Sequence, residues 1–209
     1  MYKLYWAPNT GAFAPQVMLE EIGLDYERVP ISMAAGEHRQ PDYLALNPMG
    51  QIPVLILPDG AVMSESAAIV IHLAESHPEF GLIPPIGDPR RATVLRWLLF
   101  LACDLYETDL RYYYPDRYIE DAAPDGVKAA AAARLNRLWA MLEAALDPGP
   151  YLLGADYSVV DAYILMQANW HPDPDRLFAD CPRVRQLCDL VRARPAVARI
   201  WDQHFPEAA

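Results

Sequence analysis

Residues 78–89 read Pro78-Glu79-Phe80-Gly81-Leu82-Ile83-Pro84-Pro85-Ile86-Gly87-Asp88-Pro89, with four prolines and two glycines in the run. Such a composition sustains neither a helix nor a sheet ladder, and the two flanks differ in hydrophobic period. Before it the period changes every ten or so residues; after it, residues 90–204 keep a helical period almost throughout. The chain is therefore expected to form one domain over 1–78, a linker over 79–89 and an all-helical domain over 90–209.

On the N-terminal side, residues 2–6 are a short β-rich run and Pro8-Asn9-Thr10-Gly11 is turn chemistry. Pro15 then sits where the first turn of a helix tolerates proline, with Gly23 as the stop. A second strand over 26–31 gives a βαβ unit with a parallel pair and a right-handed crossover. Strands over 52–57 and 61–63 flank the hairpin turn Pro58-Asp59-Gly60, and Ser64 is expected to cap a helix from Glu65 to about Ser76. The first domain thus reads as βαβ followed by ββα. Beyond the linker come a long helix over about 90–114, another over about 124–146, one starting at Ser158, and two short ones on either side of Pro195.

Charge narrows the partners. With 17 Lys+Arg against 28 Asp+Glu the formal charge is −11, which argues against nucleic acid and against an anionic membrane surface, since both need cationic counter-charge. The apolar stretches fall short of the roughly 20 residues that span a bilayer. The N-terminus meets Pro8 before any signal-like apolar region, so the expected address is cytoplasmic. Cys103, Cys181 and Cys188 lack a paired spacing. They are expected to be buried thiols in a reducing compartment, with no structural zinc and no other metal.

Two local signals bear on ligand binding. In Asn47-Pro48-Met49-Gly50-Gln51-Ile52-Pro53-Val54-Leu55 a proline stands at the entrance of a β-forming run. It either starts an edge strand or is cis, and a cis-proline turns the preceding residue's N–H and C=O outward, where an extended peptide can pair. In Ser64-Glu65-Ser66, at a helix start, the dipole favours a carboxylate while Glu65 attracts an ammonium, the two charges of an α-amino acid. A plain helix cap with an acidic first turn is the alternative.

These two motifs, together with Tyr151-Leu152-Leu153-Gly154-Ala155-Asp156-Tyr157-Ser158-Val159-Val160-Asp161, resemble the glutathione transferase family, and the resemblance covers nearly the whole chain. It implies a thioredoxin-like N-terminal domain before the all-α domain, and a buried capping element with Ser158 as cap and Asp161 three residues on. It further implies that Pro53 is cis, that the backbone of Ile52 pairs with the cysteinyl part of glutathione, and that Glu65 and Ser66, with Gln51 beside them, hold the γ-glutamyl end. His38, with Arg39 as second candidate, is expected to reach the glycyl carboxylate; a solvated loop is the other reading of His38. The resemblance also implies a small electrophilic co-substrate and a homodimer, with Asp104 as the residue that visits the partner's site.

The chain departs from the bacterial beta-class pattern where the chemistry should be. That class's cysteine falls on Gly11 and the following serine on Ala12, while its histidine and lysine near the sulfur fall on Tyr106 and Glu107. A thiol of pKa near 8.5 is only about 3% ionised at pH 7, and lowering it by two units takes about 2.7 kcal/mol. A hydroxyl donor with backbone N–H groups at a helix start supplies that order of stabilisation. Thr10, with the N–H groups of Gly11 and Ala12 and with Asn9 orienting the turn, is the expected donor set. Tyr5 and Tyr106 are rival donors or packing aromatics. Tyr112-Tyr113-Tyr114-Pro115 is expected either to line an aromatic acceptor pocket or to pack between helices, and His171-Pro172-Asp173-Pro174-Asp175 to be a rigid polar loop. The expected function is conjugation of glutathione to a small electrophile. A glutathione-dependent isomerase, lyase or dehalogenase, and a non-catalytic glutathione-binding or interaction module, are the alternatives.

Overall fold

Alternation sets the first strand: in β1 (Tyr2–Trp6) Tyr2 and Leu4 point inward and Lys3 outward. In α1 (Phe13–Ile22) every residue from Phe13 to Leu19 is buried. Pro15 falls in its first turn, where a missing N–H breaks no bond, and Gly23 ends it in the left-handed conformation at φ 74°. β2 (Tyr26–Pro30) returns parallel to β1. The chain continues through α2 (Pro41–Leu46), β3 (Val54–Ile56), β4 (Val62–Met63) and α3 (Ser66–Ser76). The sheet order is β2-β1-β3-β4, with β3 antiparallel to both neighbours.

The computed structural model describes residues 1–119, 124–146 and 149–206. It corrects the start of α3: the cap is Glu65, not Ser64, and the helix begins at Ser66. Glu65 is the residue that reverses the chain, at φ 67° and ψ 101°.

The second region opens with α4 (Arg90–Leu99) and α5 (Tyr106–Tyr113), and these are not the continuous α-helix expected over 90–114. A π-helical stretch, Phe100–Leu105, joins them. The Tyr106 N–H reaches back to the Leu101 carbonyl, which also accepts the side-chain amide of Gln167 at 2.9 Å, so the irregular turn is satisfied from outside the helix. Next come α6 (Pro124–Ala145), α7 (Val159–Ala168), α8 (Pro174–Asp180) and α9 (Pro182–Arg192). The expected polar loop over 171–175 instead initiates α8, because Asp173 caps it by accepting the Arg176 N–H at 3.1 Å and Pro174 takes the first helical position. Before α7, the Asp161 carboxylate accepts from the N–H of Ser158 at 2.7 Å, its hydroxyl at 3.1 Å and the Leu152 N–H at 2.9 Å.

The chain divides into two compact units, one from Met1 to Pro85 together with the segment from Arg192 onward, the other Ile86–Val191. This differs from a division at 78 and 90. The last helix, α10 (Pro195–His204), packs on α1 and belongs with the sheet. Arg194 pairs with Glu21 at 2.6 Å and Arg199 with Glu20 at 3.0 Å. No helix among the described residues is long and apolar enough to cross a membrane.

Candidate functional site

Register brings three segments to one end of the sheet. Tyr5 stands opposite Val54 and Leu55 opposite Met63; continued past their last pairs, these ladders carry Pro53 beside Trp6 on one side and Glu65 on the other. The loop leaving β1 therefore starts next to Pro53. Ala7 and Ala12, from the two ends of that loop, share a buried cluster with Tyr43, Ile52 and Val54.

The Ile52–Pro53 peptide is cis. Both residues are buried while Gln51 is exposed. The turn before them is held from two sides, because the Tyr43 hydroxyl and the Asn47 amide each donate to the Gln51 carbonyl at 2.8 Å. Asn47 also accepts the Met49 N–H at 3.1 Å. Sequence reasoning gave neither Tyr43 nor Asn47 a role, although an asparagine opening a Pro-x-Gly turn favours side-chain bonds to backbone just ahead. Gly50 has φ 61°, and a Cβ there would lie 3.0 Å from the His38 carbonyl, which seats the short 3₁₀ turn Glu37–Arg39 against this segment. His38 is buried, which overturns the reading of it as a solvated loop residue; Arg39 is exposed.

Among the described residues, two that are not glycine have positive φ, Asn9 at 53° and Glu65 at 67°. Strained conformations of this kind cluster at ligand sites. The Glu65 carbonyl accepts the Ile69 N–H at 2.9 Å, and its exposed carboxylate forms no ion pair with another described residue. Ser66 opens α3 at the positive end of its dipole. An ammonium beside Glu65 and a carboxylate at the helix start are the electrostatic complement of this corner.

The Thr10 hydroxyl donates to the Ala7 carbonyl at 2.7 Å and accepts the Ala12 N–H at 3.4 Å. Its single hydrogen is thereby committed, so it must turn from Ala7 before it can donate to a sulfur. The buried Gly11 N–H meets no acceptor among the described residues. Tyr5 packs edge-on against Tyr43 with ring centroids 6.0 Å apart. Asn9 donates its N–H to the His204 carbonyl at 2.9 Å.

The remaining candidates lie in the helical unit. Tyr106 packs edge-on against Trp170 at 5.2 Å. Asp104 pairs with Arg134 at 2.5 Å, and Arg134 also donates to Thr108. Asp109 is 4% exposed, neither carboxyl oxygen has a hydrogen-bond partner among the described residues, and burial pushes its pKa well above the usual carboxylate range. Tyr112 and Tyr113 line an open pocket of about 460 Å³ together with three prolines, Asp116, Asp125 and Lys128. The expectation of three buried thiols fails at Cys103, which is exposed; Cys181 and Cys188 are buried. Among the described residues, no group of His, Cys, Asp and Glu side chains is arranged to hold a metal ion.

Comparison with known proteins agrees with this geometry. Residues 1–75 match the family model of the glutathione S-transferase N-terminal domain and residues 108–201 that of the C-terminal domain. Glutathione S-transferase 3 of Zea mays is 32% identical over 94% of this chain and 90% of its own length. Maleylacetoacetate isomerase of Pseudomonas aeruginosa is 27% identical over 98% of each. A glutathione transferase homologue from Sulfitobacter, solved with bound glutathione, superposes with a TM-score of 0.88 at 28% identity, covering 97% of both chains. On the full-length match and the two domain models, the chain belongs to the glutathione S-transferase family.

Proposed function

We propose that the chain binds glutathione in its N-terminal unit and adds the thiolate to a small electrophile. In this reading Glu65 and Ser66, with Gln51, receive the γ-glutamyl end, the Ile52 backbone pairs with the cysteinyl residue, and exposed Arg39 beside His38 meets the glycyl carboxylate. The observation that carries it is the convergence of cis-Pro53, Glu65 and the Thr10 loop at one end of the sheet. Sulfur is held by the N–H groups of Gly11 and Ala12, with Thr10 turning its hydroxyl from Ala7 to the thiolate. That exchange costs about one hydrogen bond, roughly 1 kcal/mol, and returns a charge-assisted one of about 1.5–3 kcal/mol.

The tyrosine-lined pocket, which also carries Asp116, Asp125 and Lys128, suits a small acceptor with an aromatic body and polar substituents, its volume lying within the ~300–1,000 Å³ of small-ligand sites. A homodimer completes the proposal, with Asp104 oriented by Arg134 toward the partner's ligand. Two other readings have a specific footing. The likeness to an isomerase along the whole chain favours glutathione-dependent isomerisation, with a lyase or dehalogenase in the same class. The Thr10–Ala7 bond, with Gly11 and Ala12 lacking side-chain donors, favours a non-catalytic glutathione-binding module. A conjugation assay with a generic aromatic electrophile tests the proposal: glutathione-dependent product is expected. Saturable glutathione binding without product would select the module instead.

A further inference from the structure

The Thr10 loop is tied to the far end of the chain. Asn9, held in the left-handed region at φ 53°, donates its N–H to the carbonyl of His204, the last residue of α10. His204 is wholly buried, its ring against Trp6 at 5.0 Å and Phe13 at 5.3 Å. Its Nε2 lies 2.7 Å from Oε1 of Gln16, itself wholly buried on α1.

The direction of this polar chain follows from its end. Glu20 is a carboxylate and only accepts: from the Tyr26 hydroxyl at 2.7 Å on one oxygen and from Arg199 at 3.0 Å on the other. Tyr26 has spent its hydrogen there, so its oxygen accepts the Gln16 amide N–H at 2.9 Å. Gln16 must then present its oxygen to His204, and His204 must carry its hydrogen on Nε2. One tautomer of one ring is selected by four side chains, and that ring fixes the turn whose carbonyl holds Asn9. Burial, and after it Arg28, lowers the imidazole pKa to about 4, so the ring is neutral at physiological pH and carries its one hydrogen on Nε2.

Asn9 is followed at once by Thr10, Gly11 and Ala12, the groups to which the sulfur is assigned. We infer that His204 and Gln16 are positioning residues for the thiolate: by locking the last turn of α10 they keep Asn9 left-handed and so aim the Thr10 hydroxyl and the Gly11 and Ala12 N–H groups, without touching the ligand. The inference rests on the glutathione reading above. It adds that the C-terminal helix sets the ionisation of the thiol and leaves glutathione affinity to Ile52, Glu65 and Ser66.

The test uses the full chain with His204→Phe, which keeps an aromatic ring but loses the donor, and His204→Gln, which restores an N–H toward Gln16. Three quantities are read: amide hydrogen exchange at Asn9, the pH midpoint of thiolate absorbance for bound glutathione, and glutathione affinity by calorimetry. In His204→Phe the Asn9 amide is expected to exchange at least tenfold faster. The thiol midpoint is expected to rise by about one pH unit, a tenfold fall in the ionisation constant, with affinity at pH 6 changed less than threefold. His204→Gln is expected to recover most of the midpoint shift, which a general loss of packing would not do. Should His204→Phe fail to fold, Gln16→Met breaks the same bond from the α1 side and carries the same expectation. An unchanged midpoint in a folded variant that still binds glutathione overturns the positioning role alone. Absence of glutathione binding in the unaltered chain overturns the site itself, and is seen before any variant is made.

Discussion

Burial favours the neutral form of an ionisable group in both units, but it moves the pKa in opposite directions. In the first, His204 is kept neutral by burial, with its pKa lowered to about 4, and is woven into a chain of bonds that ends on Glu20. In the second, burial raises Asp161 to about 6 although it accepts three hydrogen bonds, and raises Asp109 with none. The sheet-bearing unit builds its candidate site from backbone shape: a cis-proline, two strained residues and N–H groups at helix starts. The helical unit supplies side chains around a pocket, and its candidates, Tyr106 for the sulfur and Asp104 for the partner's site, already hold packing or ionic partners. On the proposed function, peptide binding would rest on that backbone shape together with Glu65, and the choice of a second substrate on the side chains around the pocket.

The largest expected effect is on the helical unit's capping element. Asp161→Ala leaves two buried N–H groups, of Leu152 and Ser158, without an acceptor, and should lower stability by about 4 kcal/mol; urea unfolding checks it. A loss under 1 kcal/mol would mean that this cap is not a structural keystone.

Acid sharpens the contrast next. The unfolded chain protonates His204 from pH 6.5 downward while the folded chain does so only near 4, so its contribution is full above 6.5 and is lost as pH falls toward 4, about 3 kcal/mol in all. Asp161 has the opposite sign. The folded chain takes up its proton near 6, before the unfolded chain does near 3.8, so stability rises with falling pH over that window. Measured from pH 7 to 4, the stability difference between the unaltered chain and His204→Phe should shrink as pH falls, whereas the difference against Asp161→Ala should grow. Parallel curves would break the comparison.

Smaller effects belong to the ligand. Glu65→Ala removes a charge-assisted contact and should weaken glutathione by about 1.5–3 kcal/mol, roughly ten- to a hundredfold, in a calorimetric titration. Thr10→Ala should lower turnover by about fivefold, near 1 kcal/mol, because the hydroxyl first gives up Ala7, and should leave affinity nearly unchanged. If Thr10→Ala keeps full activity while Tyr106→Phe or Tyr5→Phe loses it, a tyrosine holds the sulfur.

Local chemistry made much of this legible before any coordinates. The Pro58-Asp59-Gly60 turn acts within a few residues and can be read in place. The cis state of Pro53 and the Ser158–Asp161 cap are legible only through the family resemblance, because the residues alone leave Pro53 open between an edge strand and a cis bond. What escaped reading depends on distant pairing. Gln16 and His204 lie 188 positions apart, and nothing local marks either as polar core; the same distance hid α10's place on the sheet-bearing unit. The π-helical stretch escaped because Gln167, far along the chain, supplies the bond that makes it tolerable. Thr10's engagement with Ala7 escaped for the opposite reason: the residues are close, but a hydroxyl's direction is set by turn geometry that residue types leave open.

The pH titration of thiolate absorbance for glutathione bound to the unaltered chain tests the central claim most directly, namely the proposal that Thr10 and backbone donors ionise the thiol where the resemblance to the beta class aligns that class's cysteine and serine with Gly11 and Ala12. A midpoint about two units below 8.5 is expected, the equivalent of about 2.7 kcal/mol of stabilisation at the sulfur. A midpoint that stays near 8.5 while glutathione remains bound would contradict it, leaving a site that holds the peptide without activating it.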